Sequence, residues 1–211
     1  MKKVFLLLAV FFLLVSPSYA LAGLGLGVRA GVVSNYDNPA LKDLPTLKRD
    51  WIKDMNMVGA HLKIGALPII DLEISGEYFW QTEDISIRVM DYINDDTMFV
   101  SGEFKVEDYS VNATAKYVFP TSVIKPYLGA GGGLHIINYK SPIYALPPEY
   151  TSPTIPDTET KPSYHACGGI LLDVPVLPLE AFVEGRYTSI QTEKKATGFF
   201  TWMLGVTLNL P

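Results

Sequence analysis

Apolar and polar residues alternate with a period of two in eight stretches of the chain, near residues 23–34, 56–65, 69–81, 104–119, 126–139, 163–174, 178–189 and 198–210. In the third, Ile70, Leu72, Ile74, Gly76, Tyr78 and Trp80 fall on one side, and Asp71, Glu73, Ser75, Glu77 and Phe79 on the other. The last sets Phe200, Trp202, Leu204, Val206 and Leu208 against Thr201, Met203, Gly205, Thr207 and Asn209. This period marks a β-strand whose faces meet different surroundings. The apolar faces carry no charge, although 18% of the chain is charged. A charge facing lipid near the bilayer midplane costs about 2–4 kcal/mol, so clean faces are what lipid would select. The pattern predicts an all-β fold, an eight-stranded antiparallel up-and-down transmembrane β-barrel.

The connections predict which way the strands run. Those at 66–68, 120–125 and 175–178 are short; those at 35–55, 82–103 and 140–162 are long, with a shorter one at 190–197. Short turns at one end and long loops at the other fit periplasmic and extracellular ends. The third long connection holds Pro142, Pro147, Pro148, Pro153, Pro156 and Pro162, residues that a central sheet ladder excludes, and it reads as loop. Within the second, Ile85, Ile87 and Val89 still alternate, which would extend a hairpin beyond the membrane.

Aromatic residues close the apolar faces: Tyr78, Trp80, Tyr187, Phe200 and Trp202 at one rim, Tyr117 and Phe119 at the other. Amphipathic rings favour the headgroup level, so these form a candidate girdle. The opposite faces hold Arg29, Lys63, Lys116 and Arg186 with Asp71, Glu73, Glu77, Asp173, Glu180 and Glu184. Inside a narrow barrel these ions must pair, because an unpaired buried charge is expensive. The expectation is a salt-bridged, largely closed lumen.

The amino terminus bears on compartment. Lys2 and Lys3 precede an unbroken apolar run from Val4 to Val15, and small residues follow. This is the layout of a cleaved signal peptide, with cleavage after Ala20 or Ala22, so that 1–22 is leader and 23–211 the barrel domain. The run is too short for a membrane-spanning helix, which needs roughly 20 residues. The net charge of −5 becomes −7 without the two lysines, 15 basic against 22 acidic residues. Such acidity argues against a nucleic-acid partner. The single cysteine, Cys167, precludes an internal disulfide.

Lys125-Pro126-Tyr127-Leu128-Gly129-Ala130-Gly131-Gly132-Gly133-Leu134 resembles the Pro-Tyr-x-Gly-x-Gly-x-Gly stretch of small outer-membrane barrels of the OmpA, OmpX and OmpW types. Glu184-Gly185-Arg186-Tyr187 and Met203-Leu204-Gly205-Val206-Thr207-Leu208 are similar to the family's last two strands. The resemblance implies residence in the bacterial outer membrane, contact with its lipid and lipopolysaccharide, insertion by the outer-membrane assembly machinery, and a monomer. The family's usual closing aromatic is replaced by Asn209-Leu210-Pro211, and no peptidoglycan-binding domain follows the barrel.

Candidate chemistry is sparse. His61, His135 and His165 all fall on inward faces, the last two on neighbouring strands and so expected near each other at the outer mouth. No Cys or carboxylate spacing around them suggests a metal, and no cofactor is expected. Ser163 and His165 share a face without the surrounding motif an enzyme would need. Cys167 reads as a small filler. The function expected is therefore a structural, surface-interaction or small-ligand role without catalysis, the partner of the outer loops being unspecified. An OmpW-like channel for small molecules stays open, as does a secreted soluble lipocalin-like barrel with inside and outside exchanged.

Overall fold

Each alternating stretch becomes one strand. In the computed structural model, which describes residues 23–37, 54–67, 69–91, 96–121, 123–140, 158–173, 177–191 and 196–210, the strands are β1 (Leu24–Asp37), β2 (Met55–Leu67), β3 (Ile70–Asp91), β4 (Asp96–Val118), β5 (Ile124–Lys140), β6 (Glu159–Asp173), β7 (Leu179–Ile190) and β8 (Thr197–Asn209). Every strand pairs antiparallel with its sequence neighbours, and β1 pairs with β8, so the described residues form a closed eight-stranded barrel. Closure satisfies the backbone of every wall strand without a free edge, the condition for crossing lipid with strands. Among the described residues, no helix is long and apolar enough to cross a membrane. The expected leader, 1–22, lies outside the described residues.

The pleat sorts the side chains as the alternation requires. Leu26, Val28, Ile74, Val111, Leu128, Leu134, Val183, Leu204 and Val206 are exposed on the outer wall, while Arg29, Glu73, Glu77, Lys116, Glu184 and Arg186 are buried within. This inverts the soluble pattern. A barrel exposing a continuous belt of Val, Leu and Ile while burying six ions is built for an apolar solvent. The wall is transmembrane, and the exchanged inside and outside of a soluble lipocalin-like barrel is set aside.

The start of β1 and the end of β8 lie at the turn end, with the short connections; the opposite end is the loop end. β1 reaches the loop end through an irregularity between Ser34 and Asp37, where Asn35 takes φ 59°. Asparagine tolerates that left-handed backbone better than other non-glycine residues.

Two expectations about connections change. The stretch 82–103 is not a long loop: β3 and β4 continue paired from Thr82↔Lys105 to Asp91↔Asp96, leaving 92–95 as the connection. The alternation of Ile85, Ile87 and Val89 marked this extension. Pro162 lies in β6 rather than in a loop, opposite Leu134, with its carbonyl accepting from Gln191 N at 2.9 Å. It is the fourth residue of its strand and Pro126 the third of β5, so both sit near strand starts, where proline's missing N–H is best tolerated.

Candidate functional site

The inward face of β3 carries Glu73 and Glu77, that of β7 Glu184 and Arg186, that of β4 Lys116 and that of β1 Arg29. Closure of the barrel brings all six together. Lys116 Nζ lies 2.8 Å from both Glu73 Oε2 and Glu184 Oε2. Arg186 donates to Glu184 Oε1 at 2.9 Å and to Glu77 Oε1 at 2.8 Å. Arg29 Nη1 reaches Glu77 Oε1 at 3.3 Å, and its Nη2 stands 2.6 Å from Glu73 Oε1, a charge contact outside hydrogen-bond geometry. Read in sequence, Glu73, Lys116, Glu184, Arg186, Glu77 and Arg29 form a closed ring of alternating sign. Three positive and three negative charges cancel, which is how six ions can share a buried volume.

Neighbouring groups hold the ring in place. Tyr127 Oη donates to Glu184 Oε2 at 2.7 Å, and the Lys116 ammonium lies 4.9 Å from the Tyr127 ring centre. Ser75 and Asn112 donate to Glu77 at 3.1 and 3.2 Å. Arg29 Cζ sits 5.5 Å from the Phe182 ring centre. His61 Nε2 meets Thr207 Oγ1 at 2.9 Å, and His165 Nε2 meets Thr114 Oγ1 at 2.8 Å.

The ten ions expected in one lumen network do not all join it. Lys63 pairs with Glu180 nearer the turn end, largely buried, and Asp173 pairs with Lys125, about a third exposed at the rim. Asp71 stands opposite Lys116 in register and is half-buried, while the Lys116 ammonium turns to Glu73 and Glu184 instead. The outermost row opens to water, where separate pairs form.

Toward the loop end the interior changes character on strand after strand. On β1, Arg29 gives way to Val33; on β4, Lys116 to Val106 and Phe104; on β3, Glu77 to Phe79; on β7, Arg186 to Ile190; on β2, His61 to Met57 and Met55. These side chains, with Ile137, Tyr139, Tyr36 and Phe199, pack as a buried apolar cluster above the ring. A hydrogen-bonded polar pair is enclosed there: His135 Nδ1 meets Asp108 Oδ2 at 2.8 Å, with Phe79 and Phe199 ring centres 6.1 and 6.2 Å from the imidazole. The expectation that His135 and His165 are neighbours is corrected. Register sets His135 opposite Lys161 and His165 opposite Gly131, four residues apart along the strand.

Outside, the same level shows the opposite change. Above the rim rings, β3 presents Thr82 and Asp84, β4 Glu107, Lys105 and Glu103, and β5 Asn138 and Lys140. The candidate girdle residues pack against one another in small groups. Tyr78 stacks on Trp80 with centres 5.3 Å apart, Phe200 packs on Trp202 at 4.8 Å, exposed Tyr187 lies opposite Phe200, and Tyr117 meets Phe119 edge-on at 5.0 Å. Tyr109 and Tyr164, also exposed at the loop-end rim, complete the set. Both lie on outward faces of their strands, and the alternation alone carries no signal of their level.

Ser163 is buried, and His165 is turned to Thr114. Cys167 is buried beside Gly129. Among the described residues, no group of three or more His, Cys, Asp or Glu is arranged to hold a metal.

No family model matches the chain, and no curated protein matches it. Solved structures do. Neisserial surface protein A superposes with a TM-score of 0.58 at 14% identity, over 90% of this chain and 99% of that one. The fold is that of a small outer-membrane barrel. The N-terminal β-barrel domain of Pseudomonas aeruginosa OprF agrees, with a TM-score of 0.52 at 12% identity over 90% of this chain and 99% of that domain. At such identities the likeness extends to the strand number, closure and pairing order of an outer-membrane barrel, and not to its side chains.

Proposed function

We propose that this protein is an integral barrel of the bacterial outer membrane, exported by its leader, whose lumen is closed and whose role is structural or surface-interacting rather than conductive or catalytic. One observation carries the reading: two different seals lie in series across the interior, the alternating ion ring and the apolar cluster above it. Eight strands enclose roughly the space that side chains alone can fill. An ion entering from the loop end would have to cross a dry layer of Phe, Met, Val and Ile before reaching charges that are already paired. With the loop end outside and the turn end in the periplasm, the extended β3–β4 hairpin rises above the lipid into the surrounding medium, where a surface role would reside.

Purified protein in planar bilayers tests this directly. Protein whose gel mobility shifts on boiling, and is therefore folded, should give no single-channel steps. Regular steps from that same folded fraction would overturn the closed reading and favour a channel for small molecules.

A further inference from the structure

The lipid-facing wall contains glycines, and in nearly every case a neighbour covers the gap. A Cβ built on Gly185 would meet the rings of Phe200 and Trp202 at 3.0 and 3.1 Å; on Gly168, Leu128 at 3.1 Å; on Gly132, a backbone oxygen at 3.1 Å and the Tyr164 ring at 3.9 Å; on Gly198, the Tyr187 hydroxyl at 2.5 Å. Rings laid over strand glycines are a recognised way to fill such sites. Gly76 is the exception among the described outward glycines: nothing lies within 4 Å of its missing side chain. The gap is the floor of an apolar groove walled by Val28, Val58, Tyr78, Tyr109 and Val111.

The neighbour best placed to cover Gly76 is held away from it. Tyr78 stacks on Trp80 and packs on Tyr109, and its hydroxyl donates to Glu107 at 2.9 Å, toward the loop end. Glu107 is itself fixed by Lys105 at 2.7 Å and Lys140 at 2.8 Å. The groove is therefore kept open by a tether of four residues.

We propose that this groove holds one acyl chain of an outer-leaflet lipid. The occupant follows from position: the groove is part of the wall that faces lipid, it opens sideways into the hydrocarbon, and it starts below an aromatic rim. Four residues of β3 separate Gly76 from Trp80, about 13 Å along the strand at roughly 3.3 Å per residue, enough to seat a stretch of chain while the head remains at the rim. Charge does not select the head, because Lys105 and Lys140 face Glu107 while Asp84 and Glu103 are exposed beyond them. The selection lies in the chain.

The test uses the full barrel in lipid nanodiscs doped with phosphatidylglycerol or phosphatidylcholine bearing the same photoreactive acyl chain, with adducts mapped by mass spectrometry. Labelling at Val58, Tyr78, Tyr109 and Val111 should exceed that around Leu204 several-fold with either head. Gly76→Leu, whose added side chain enters empty space, should abolish the excess while leaving the boiling-dependent gel shift intact. Glu107→Gln, which weakens the tether, should reduce it. Even labelling around the wall, an excess that survives Gly76→Leu, or an excess seen with one head alone would overturn the proposal. So would discs that hold two barrels with these four residues left unlabelled, which would make a second copy the occupant.

Discussion

The two storeys of this barrel are built to opposite rules. In the lower, Leu128, Val183, Leu204 and Val206 face outward while Arg29, Lys116, Glu73 and Glu184 are enclosed; in the upper, Thr82, Asp84, Lys105 and Lys140 face outward while Val33, Phe104, Val106 and Ile137 are enclosed. A single strand shows both: β4 reads Lys116 in and Val111 out, then Phe104 in and Lys105 out. The pleat does not change between them. On the reading proposed, what changes is the solvent, lipid below the Tyr78–Trp80–Tyr109 rim and water above it. The level of exchange thus marks the membrane boundary from side chains alone, and the upper storey is in effect a small water-soluble core set on a transmembrane one.

The comparison is broken most severely at the ion ring. Glu184 joins two cations, so Glu184→Ala leaves the ring with one positive charge in excess, shared between Lys116 and Arg186, and removing one partner of such a set costs about 4 kcal/mol. Urea unfolding in bilayers should record that loss. In the upper storey Phe199→Ala acts through a cavity instead, at about 3 kcal/mol. Raised salt should leave both defects nearly unchanged, because charges sealed in the lumen are screened little. Next in size is a charge moved across the boundary. Leu204→Arg, on the lipid face, should cost about 2–4 kcal/mol. Asn138→Arg, outward on β5 but above the rim, should stay within about 0.5 kcal/mol. Equal costs at the two sites would erase the proposed boundary.

Most of the lower storey was legible in the sequence, because lipid penalises every outward charge and so imprints a strict alternation: the inward placement of Glu73, Glu77, Lys116 and Arg186 followed from it. Their order around a ring did not, since that depends on closure, which sets β1 and β7 beside each other's neighbours across residues far apart in sequence. The upper storey was largely hidden. Once the outer solvent is water, Lys105, Glu107 and Asp84 outward no longer differ in kind from polar residues inward, and period-two alternation persists with its meaning reversed. Phe104, Val106 and Ile137 lay on the faces read as lumenal, but nothing in their spacing said that apolar side chains fill the lumen there. The Asp108–His135 pair needed the β4–β5 register, and the open Gly76 needed the positions of rings on two other strands.

The smallest expected effect concerns the boundary itself. Hydrogen bonds from Lys105 and then Lys140, aided by the Tyr78 hydroxyl, hold the Glu107 carboxyl at about 2, below its ordinary 4.5. A carboxylate depressed on folding contributes stability that is present above its unfolded value and is lost as pH falls through its folded one. The contribution should therefore be intact above about pH 4.5 and fade between there and about pH 2, and it should be modest, because Lys140 is well exposed and water screens the pair. Tryptophan fluorescence reads it through Trp80, which stacks on the tethered Tyr78. The wild-type signal should shift across that window, and Glu107→Gln should flatten the shift while the ring, whose carboxylates lie in the lower storey, is unaffected. A shift that persists in Glu107→Gln would assign the acid response to another group and detach the rim clamp from the boundary it is taken to mark.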